Sequence, residues 1–188
     1  EQIIRADEHN KSAAPGAADS YLCLGPGFSS AANTPFRLHK SWTNEGGIAS
    51  PLIVHWPAGI KARGEIRHQT GHFVDVVPTI LDICGATPKA TANGGLARPG
   101  VSLVPSLKTD NTVRHDFLWW HHEGRSAIRV GDWKAVRRDD EDRWALYDLS
   151  IDRSEMNNMG EKHPEILERL RTRWDIEAEK FKAQAAQN

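Results

Sequence analysis

Pro51-Leu-Ile-Val-His-Trp56, closed by Pro57, is a short and largely apolar run. It does not alternate and is partly β-branched, so it predicts a short strand buried on both faces, the kind found in parallel sheets. The period then changes. Val76, Val77, Ile80, Leu81 and Cys84 recur at three- and four-residue intervals, the spacing of an amphipathic helix. Asp75 can cap that helix, Pro78 fits its first turn and Gly85 the position after its last. A strand followed by a helix predicts a piece of α/β architecture.

The pattern shifts again in the last third. Phe117 to Trp120, Ser126 to Val130, Trp133 to Val136 and Trp144 to Leu149 are short runs rich in β-branched and aromatic residues. They predict an antiparallel meander of three or four strands. Gly131-Asp132 is a two-residue connection with glycine first, suited to a type II′ hairpin turn. The charged stretch 137–143 reads as a solvated turn. His163-Pro164-Glu165 opens a final helix, with Glu165 and Glu168 favouring its positive end. Leu167, Leu170, Trp174, Ala178 and Phe181 fall on one face of that helix, as core anchors. Residues 6–35 and 86–114 carry no sustained period, and both predict irregular surface segments. The expected organisation is therefore an α/β segment over 1–110 and an antiparallel subdomain with a closing helix over 111–188.

Composition narrows this picture more than it enlarges it. The chain has 188 residues, of which 39% are hydrophobic and 26% charged, as in ordinary globular proteins. A net charge of −1 offers no global field for nucleic acid, so no nucleic-acid partner is expected. No run approaches the length of a membrane-spanning helix. Cys23 and Cys84 form neither a C-x-x-C pair nor a metal-type spacing, and read as two small buried or free thiols. Glu1-Gln2-Ile3-Ile4-Arg5 contains no initiator Met and no signal-peptide core. A piece of a longer protein is expected.

The candidate chemistry is sparse. There is no G-x-S-x-G, no P-loop and no G-x-G-x-x-G. His68 and His72 are four apart, but the intervening Gln-Thr-Gly is not the H-E-x-x-H of a zinc helix, and no metal ligand is assigned. His121-His122-Glu123 falls at the exposed end of a predicted strand, either a solvated hairpin turn or the wall of a substrate pocket. The remaining cluster is basic: Arg37, His39 and Lys40 lie just before Glu45-Gly46-Gly47. A loop lysine can be a solvated charge. Here two glycines let backbone approach closely and make the loop pliable, and the neighbouring cations suit a sulfate or phosphate ester.

Taken together, "TPFRLHKSWTNEGGIASPLIVHWP", "HFVDVVPTILDICGATP", "GRSAIRVGDWKAV" and "WALYDLSIDRSEMNNMGEKHPEILERL" resemble, in order, the C-terminal half of the type I sulfatases, the arylsulfatase family of the alkaline phosphatase superfamily. The resemblance implies an alkaline-phosphatase-like α/β/α sandwich, then a small antiparallel sheet and a closing helix. It implies hydrolysis of a sulfate ester, aryl or carbohydrate, by a formylglycine nucleophile beside a bound calcium. It also implies a periplasmic or secreted location. The lysine five residues before Glu-Gly-Gly, a catalytic residue of the family, matches Lys40. Lys40, Arg37, His39 and His122 are the substrate-binding candidates. The formylglycine motif C/S-x-P-x-R is not in this sequence, nor are the family's paired acidic calcium ligands, so both are expected upstream of Glu1. The expectation is a C-terminal sulfatase fragment, inactive by itself. Two other readings are a related phosphoesterase of the same superfamily and a non-catalytic module that binds sulfated glycans.

Overall fold

A computed structural model describes residues 3–6, 17, 20–23, 25–86, 99–138 and 143–186. By internal contacts the chain separates into two compact units, Glu1–Ser50 with Trp119–Trp174, and Pro51–Leu118 with Asp175–Asn188. This division interleaves the two expected segments.

The N-terminal stretch is more regular than its sequence suggests. Strands β1 (Ile3–Ala6) and β2 (Ser20–Cys23) pair antiparallel, with Ile3 opposite Cys23 and Ala6 opposite Ser20. Helix α1 (Gly25–Ala32) follows. Its sequence, Gly-Pro-Gly-Phe-Ser-Ser-Ala-Ala, has poor intrinsic helix propensity at its start, so the periodicity could not announce it. A four-residue helix, α2 (Glu45–Ile48), closes this part of the first unit.

The second unit corrects one expectation outright. Pro51 to Trp56 is not a strand. Its backbone is irregular, and Leu52, Ile53 and Val54 are 65%, 89% and 43% exposed. An apolar run becomes a strand only by pairing, and among the described residues none offers it an edge. The helix after it does form. A 3₁₀ turn, Phe73–Asp75, leads into α3 (Val76–Ile83). Gly85 adopts φ +61°, the left-handed position expected after the last turn. Yet Val76, Val77, Ile80 and Ile83 are exposed and no residue of α3 is buried, so its apolar stripe is uncovered within this unit.

What holds the second unit is Asp75, which is fully buried. Its carboxylate accepts from His72 N at 2.7 Å, Val101 N at 2.9 Å and His115 Nε2 at 2.8 Å. The side chain of His72 accepts in return from Val74 N, which completes a capping box. Burial, with His115 nearby, holds the His72 imidazole below its ordinary pKa against the opposing pull of Asp75, in keeping with an acceptor nitrogen. Gly100 fits beneath this turn because a Cβ there would meet the Val74 carbonyl. The loop expected at 86–114 contains a short 3₁₀ helix, Val104–Leu107, and its stretch 87–98 lies outside the described residues.

The four predicted strands all form: β3 (Leu118–His122), β4 (Arg125–Val130), β5 (Trp133–Arg137) and β6 (Trp144–Asp148). They lie side by side in chain order, and the pairs β4–β5 and β5–β6 are antiparallel. Val130 faces Trp133 across Gly131-Asp132, and Gly131 has φ +60°, as a type II′ turn requires. Residues 139–142 of the expected charged turn lie outside the described residues. Cross-strand pairs such as Ala127–Val136 and Ile128–Ala135 are buried, so both faces of the sheet are covered.

Helix α4 (Pro164–Ala185) docks its first half on this sheet. The Trp174 ring stacks on Trp119 at 5.3 Å, and its indole Nε1 donates to the Trp120 carbonyl at 3.1 Å. Leu170, Trp174 and Ala178 are buried as the stripe predicts, whereas Phe181 remains 41% exposed. The segment before α4 is stitched to β6 by a side chain. Asn158 Oδ1 accepts from Leu146 N at 3.0 Å while Met159 N donates to the Leu146 carbonyl at 2.8 Å.

Asp75→Ala is expected to destabilise the parent protein by about 3 kcal/mol or more, because it strands buried donors that had a charged acceptor. Chemical denaturation monitored by circular dichroism measures this. A loss under about 1 kcal/mol would show that water replaces the carboxylate there.

Candidate functional site

The basic loop Arg37–Trp42 makes a tight turn over His39–Trp42. Leu38 and Ser41 both sit in left-handed backbone, at φ 67° and 79°, on either side of His39-Lys40. Each such residue costs on the order of 1 kcal/mol or more, so the surroundings must impose the shape. They do so through backbone. The carbonyl of Leu38 accepts from Asn33 Nδ2 at 3.0 Å, that of Arg37 from Gly46 N at 3.1 Å, and that of His39 from Trp42 N at 3.1 Å. A Cβ on Gly46 would run into the carbonyls of Arg37 and Leu38, and one on Gly47 into those of Trp42 and His39. The glycines therefore act by close approach. They do not make the loop pliable, because the absent side chains let it be clamped on α2.

Beneath the loop lies a buried ion network that the sequence did not reveal. Lys134 of β5 is fully buried. Its ammonium donates to Glu45 Oε1 at 2.9 Å and lies 2.8 Å from Glu155 Oε1, an ion-pair contact off the hydrogen-bonding direction. Glu155 Oε2 accepts from Asn44 Nδ2 at 2.7 Å and Glu45 N at 3.1 Å. Arg153 reaches Glu45 Oε2 at 3.3 Å. Burial by itself would raise the pKa of Glu45, but Lys134 and Arg153 outweigh it and hold the carboxyl below its ordinary value of 4.5. Glu155 also adopts φ +55°. Its own carbonyl accepts from Arg37 at 2.6 Å. The acid in the Glu-Met-Asn-Asn stretch is thus the joint between loop, sheet and the turn after β6.

The structure places the four candidates in two groups. Lys40 is exposed, and among the described residues it makes no hydrogen bond or ion pair. His39 is half-buried, with Nδ1 3.4 Å from Ser30 Oγ. Arg37 is half-buried and spends one guanidinium nitrogen on the Glu155 carbonyl. His122 lies apart in sequence, at the exposed end of β3, with Nε2 3.8 Å from Glu123 Oε1. Glu123 and Gly124, at φ 49° and 77°, make the two-residue turn into β4. Arg125, just past that turn, donates to the Ser41 carbonyl at 3.2 Å and lays its guanidinium 4.3 Å from the Trp42 ring centre. It ties the His122 hairpin to the Lys40 loop. Sequence reasoning missed Arg125 and Lys134. The available signals were a cation immediately after a tight turn and a lysine inside an otherwise apolar strand.

Among the described residues no group of three or more His, Cys, Asp or Glu could hold a metal. These side chains do not fit a calcium site. Among them also, no helix is long and apolar enough to cross a membrane.

A small four-stranded antiparallel sheet followed by a closing helix is the arrangement the sequence resemblance implies for the C-terminal part of a sulfatase. Residues 37–180 match the family described as N-sulphoglucosamine sulphohydrolase, C-terminal, and the chain belongs to that sulfatase family. An uncharacterised sulfatase of Schizosaccharomyces pombe is 32% identical over 85% of this chain and 30% of its own length. Human N-acetylgalactosamine-6-sulfatase is 30% identical over 55% of this chain and 19% of its own length. The crystal structure of Ps i-CgsB superposes with a TM-score of 0.61 at 24% identity, covering 80% of this chain and 32% of that one. The fold is thus that of the alkaline-phosphatase-like sulfatases, and the chain spans about a third or less of the relatives it matches.

Lys134→Met should destabilise the protein by about 3–5 kcal/mol, since it removes the cation shared by two buried carboxylates and leaves Glu45 only Arg153. The readout is the denaturation midpoint. A near-neutral result would mean that the acids are relieved by protonation or water.

The depressed pKa of Glu45 sets the sign of a second expectation. Its stabilising contribution is complete above 4.5 and is lost as pH falls through the lower folded value. Melting temperature should therefore decline below that pH more steeply in the parent than in Glu45→Gln. Parallel curves would contradict the assignment.

Proposed function

We propose that the intact protein hydrolyses sulfate esters and that this segment supplies Lys40 to the reaction. The observation that carries the reading is an exposed ammonium, unpaired among the described residues, on a loop whose backbone is fixed from below. A cation held in this way can meet charge as it develops, with little reorganisation. As the S–O bond of a sulfate ester breaks, charge grows on the leaving oxygen. An ammonium aimed at that oxygen, or at a sulfate oxygen, stabilises the transition state more than the ground state. His39 adds a titratable donor beside the same anion, and Arg37 contributes positive charge to the loop. His122, at the hairpin tip, reads the organic part of the ester.

The nucleophile would be a formylglycine, with calcium beside it to offset the sulfate charge. Both are assigned to sequence upstream of Glu1. Relatives named N-acetylgalactosamine-6-sulfatase and N-acetylglucosamine-6-O-sulfatase, each 30% identical, favour a carbohydrate sulfate over an aryl one. A periplasmic or secreted location suits such a substrate.

In the full-length enzyme, Lys40→Ala should lower kcat/KM on sulfate esters by about 10²–10³-fold with folding intact. Lys40→Arg should restore little of this, because a planar fork does not replace a compact point charge. Activity within a few-fold of the parent on several sulfate esters would return Lys40 to the status of a solvated charge. A larger loss on phosphate esters than on sulfate esters would favour a phosphoesterase.

His122→Ala should change the preference among sulfated sugars more than it lowers all rates together. Ratios of kcat/KM across a panel of sulfated monosaccharides measure this. A uniform loss, or none, counts against the role.

A further inference from the structure

We infer that Arg125 is the positioning residue for Lys40. The inference rests on the reading of Lys40 as the cation that meets the ester. Lys40 precedes Ser41, whose left-handed backbone at φ 79° turns the loop back toward α2. Nothing in the local sequence favours that conformation: Ser carries a Cβ, and the residue is not glycine. The Ser41 carbonyl is held by Arg125 at 3.2 Å, and the next residue, Trp42, lies face-on to the same guanidinium at 4.3 Å. One planar group therefore fixes two consecutive residues directly after the lysine. Arg125 is itself held. Glu123 accepts from the same guanidinium nitrogen at 2.9 Å, and Arg125 begins β4, next to buried Ser126. Ser126 in turn accepts at its carbonyl from Thr43 Oγ1 at 3.2 Å, so strand β4 grips the loop at two successive residues.

Arg125 does not touch the ester. It sets where the Lys40 backbone stands, and with it the volume the ammonium can reach. A misplacement of about 1 Å in a catalytic group can cost up to about 10²-fold in rate without loss of folding. The donor and the stacking face belong to one guanidinium. A lysine at this position can supply the charge but cannot supply both contacts at once.

The test is a double-mutant cycle in the full-length enzyme, with Lys40→Ala, Arg125→Ala, Arg125→Lys and the double variant Lys40→Ala/Arg125→Ala. A sulfate ester that the parent turns over is the substrate, and thermal melting controls for folding. Arg125→Ala and Arg125→Lys are each expected to lower kcat by about 10- to 100-fold, with KM changed little. In the Lys40→Ala background, Arg125→Ala should cost no more than about twofold, since there is no ammonium left to place. A merely structural arginine would lower the active fraction by the same factor in both backgrounds, and that result overturns the inference. So does an Arg125→Lys variant as active as the parent. If Lys40→Ala alone is nearly as active as the parent, the reading of Lys40 falls and this inference with it. If Lys40→Ala is impaired while Arg125→Ala is additive or silent, only the inference about Arg125 falls.

Discussion

The ammonium of Lys134 is enclosed completely, and the form of the first unit depends on how that charge is matched. A buried cation without partners is costly enough that the chain must bring acids to it. Glu45 comes from the N-terminal part of the chain, and Glu155 comes from the turn after β6. The two acids lie 110 residues apart, and the lysine between them joins α2 to the sheet. Arg153 relieves the second oxygen of Glu45 and lies over the Phe36 ring at 4.7 Å. The loop with Lys40 is thus seated on a charge network, and an apolar contact alone would fix its register less tightly.

The exposed lysine and the buried one divide the electrostatic work. Lys134 is neutralised from inside the protein and has no capacity left for a ligand. Lys40, on the strained backbone between Leu38 and Ser41, is left unneutralised among the described residues. The strain is sustained by hydrogen bonds to the loop carbonyls from the Gly46 and Trp42 amides and the Asn33 side chain, and by the Arg125 guanidinium. Rigid support under an exposed charge is the condition for electrostatic stabilisation that does not have to be reorganised during reaction. This is why the two glycines matter as absences of volume, and why a Cβ at either would displace the lysine without touching it.

The two units carry opposite balances of local and long-range order. In the sheet, cross-strand pairs bury small and branched side chains on both faces, and Trp174 of α4 packs on Trp119. In the second unit a single carboxylate, Asp75, gathers three donors, while the apolar stripe of α3 and the run at 51–56 stay exposed. Apolar surface of this extent is unusual for a self-sufficient monomeric domain.

Much of the fold was legible in the sequence because its signals are local. Two-residue turns with glycine, alternating or continuous apolar runs, and a proline opening a long helix all act within a few residues, and the four strands, the Gly131 turn and α3 and α4 stand where those signals put them. The strand expected at 51–56 failed because pairing needs a neighbour that no local pattern supplies, and α1 formed against its own propensities. At the site, the residue types and spacing near Lys40 pointed to an anion. That Glu155 would meet Glu45 around Lys134, or that Arg125 would hold Ser41, was not readable, since contacts more than eighty residues apart leave no periodicity. The sequence by itself determined the four strands of the meander, the Gly131 turn and helices α3 and α4. Only the tertiary structure decided which buried charges neutralise one another and which residue holds the lysine, because electrostatic pairing depends on distance in space and burial, and neither exists until the chain has folded.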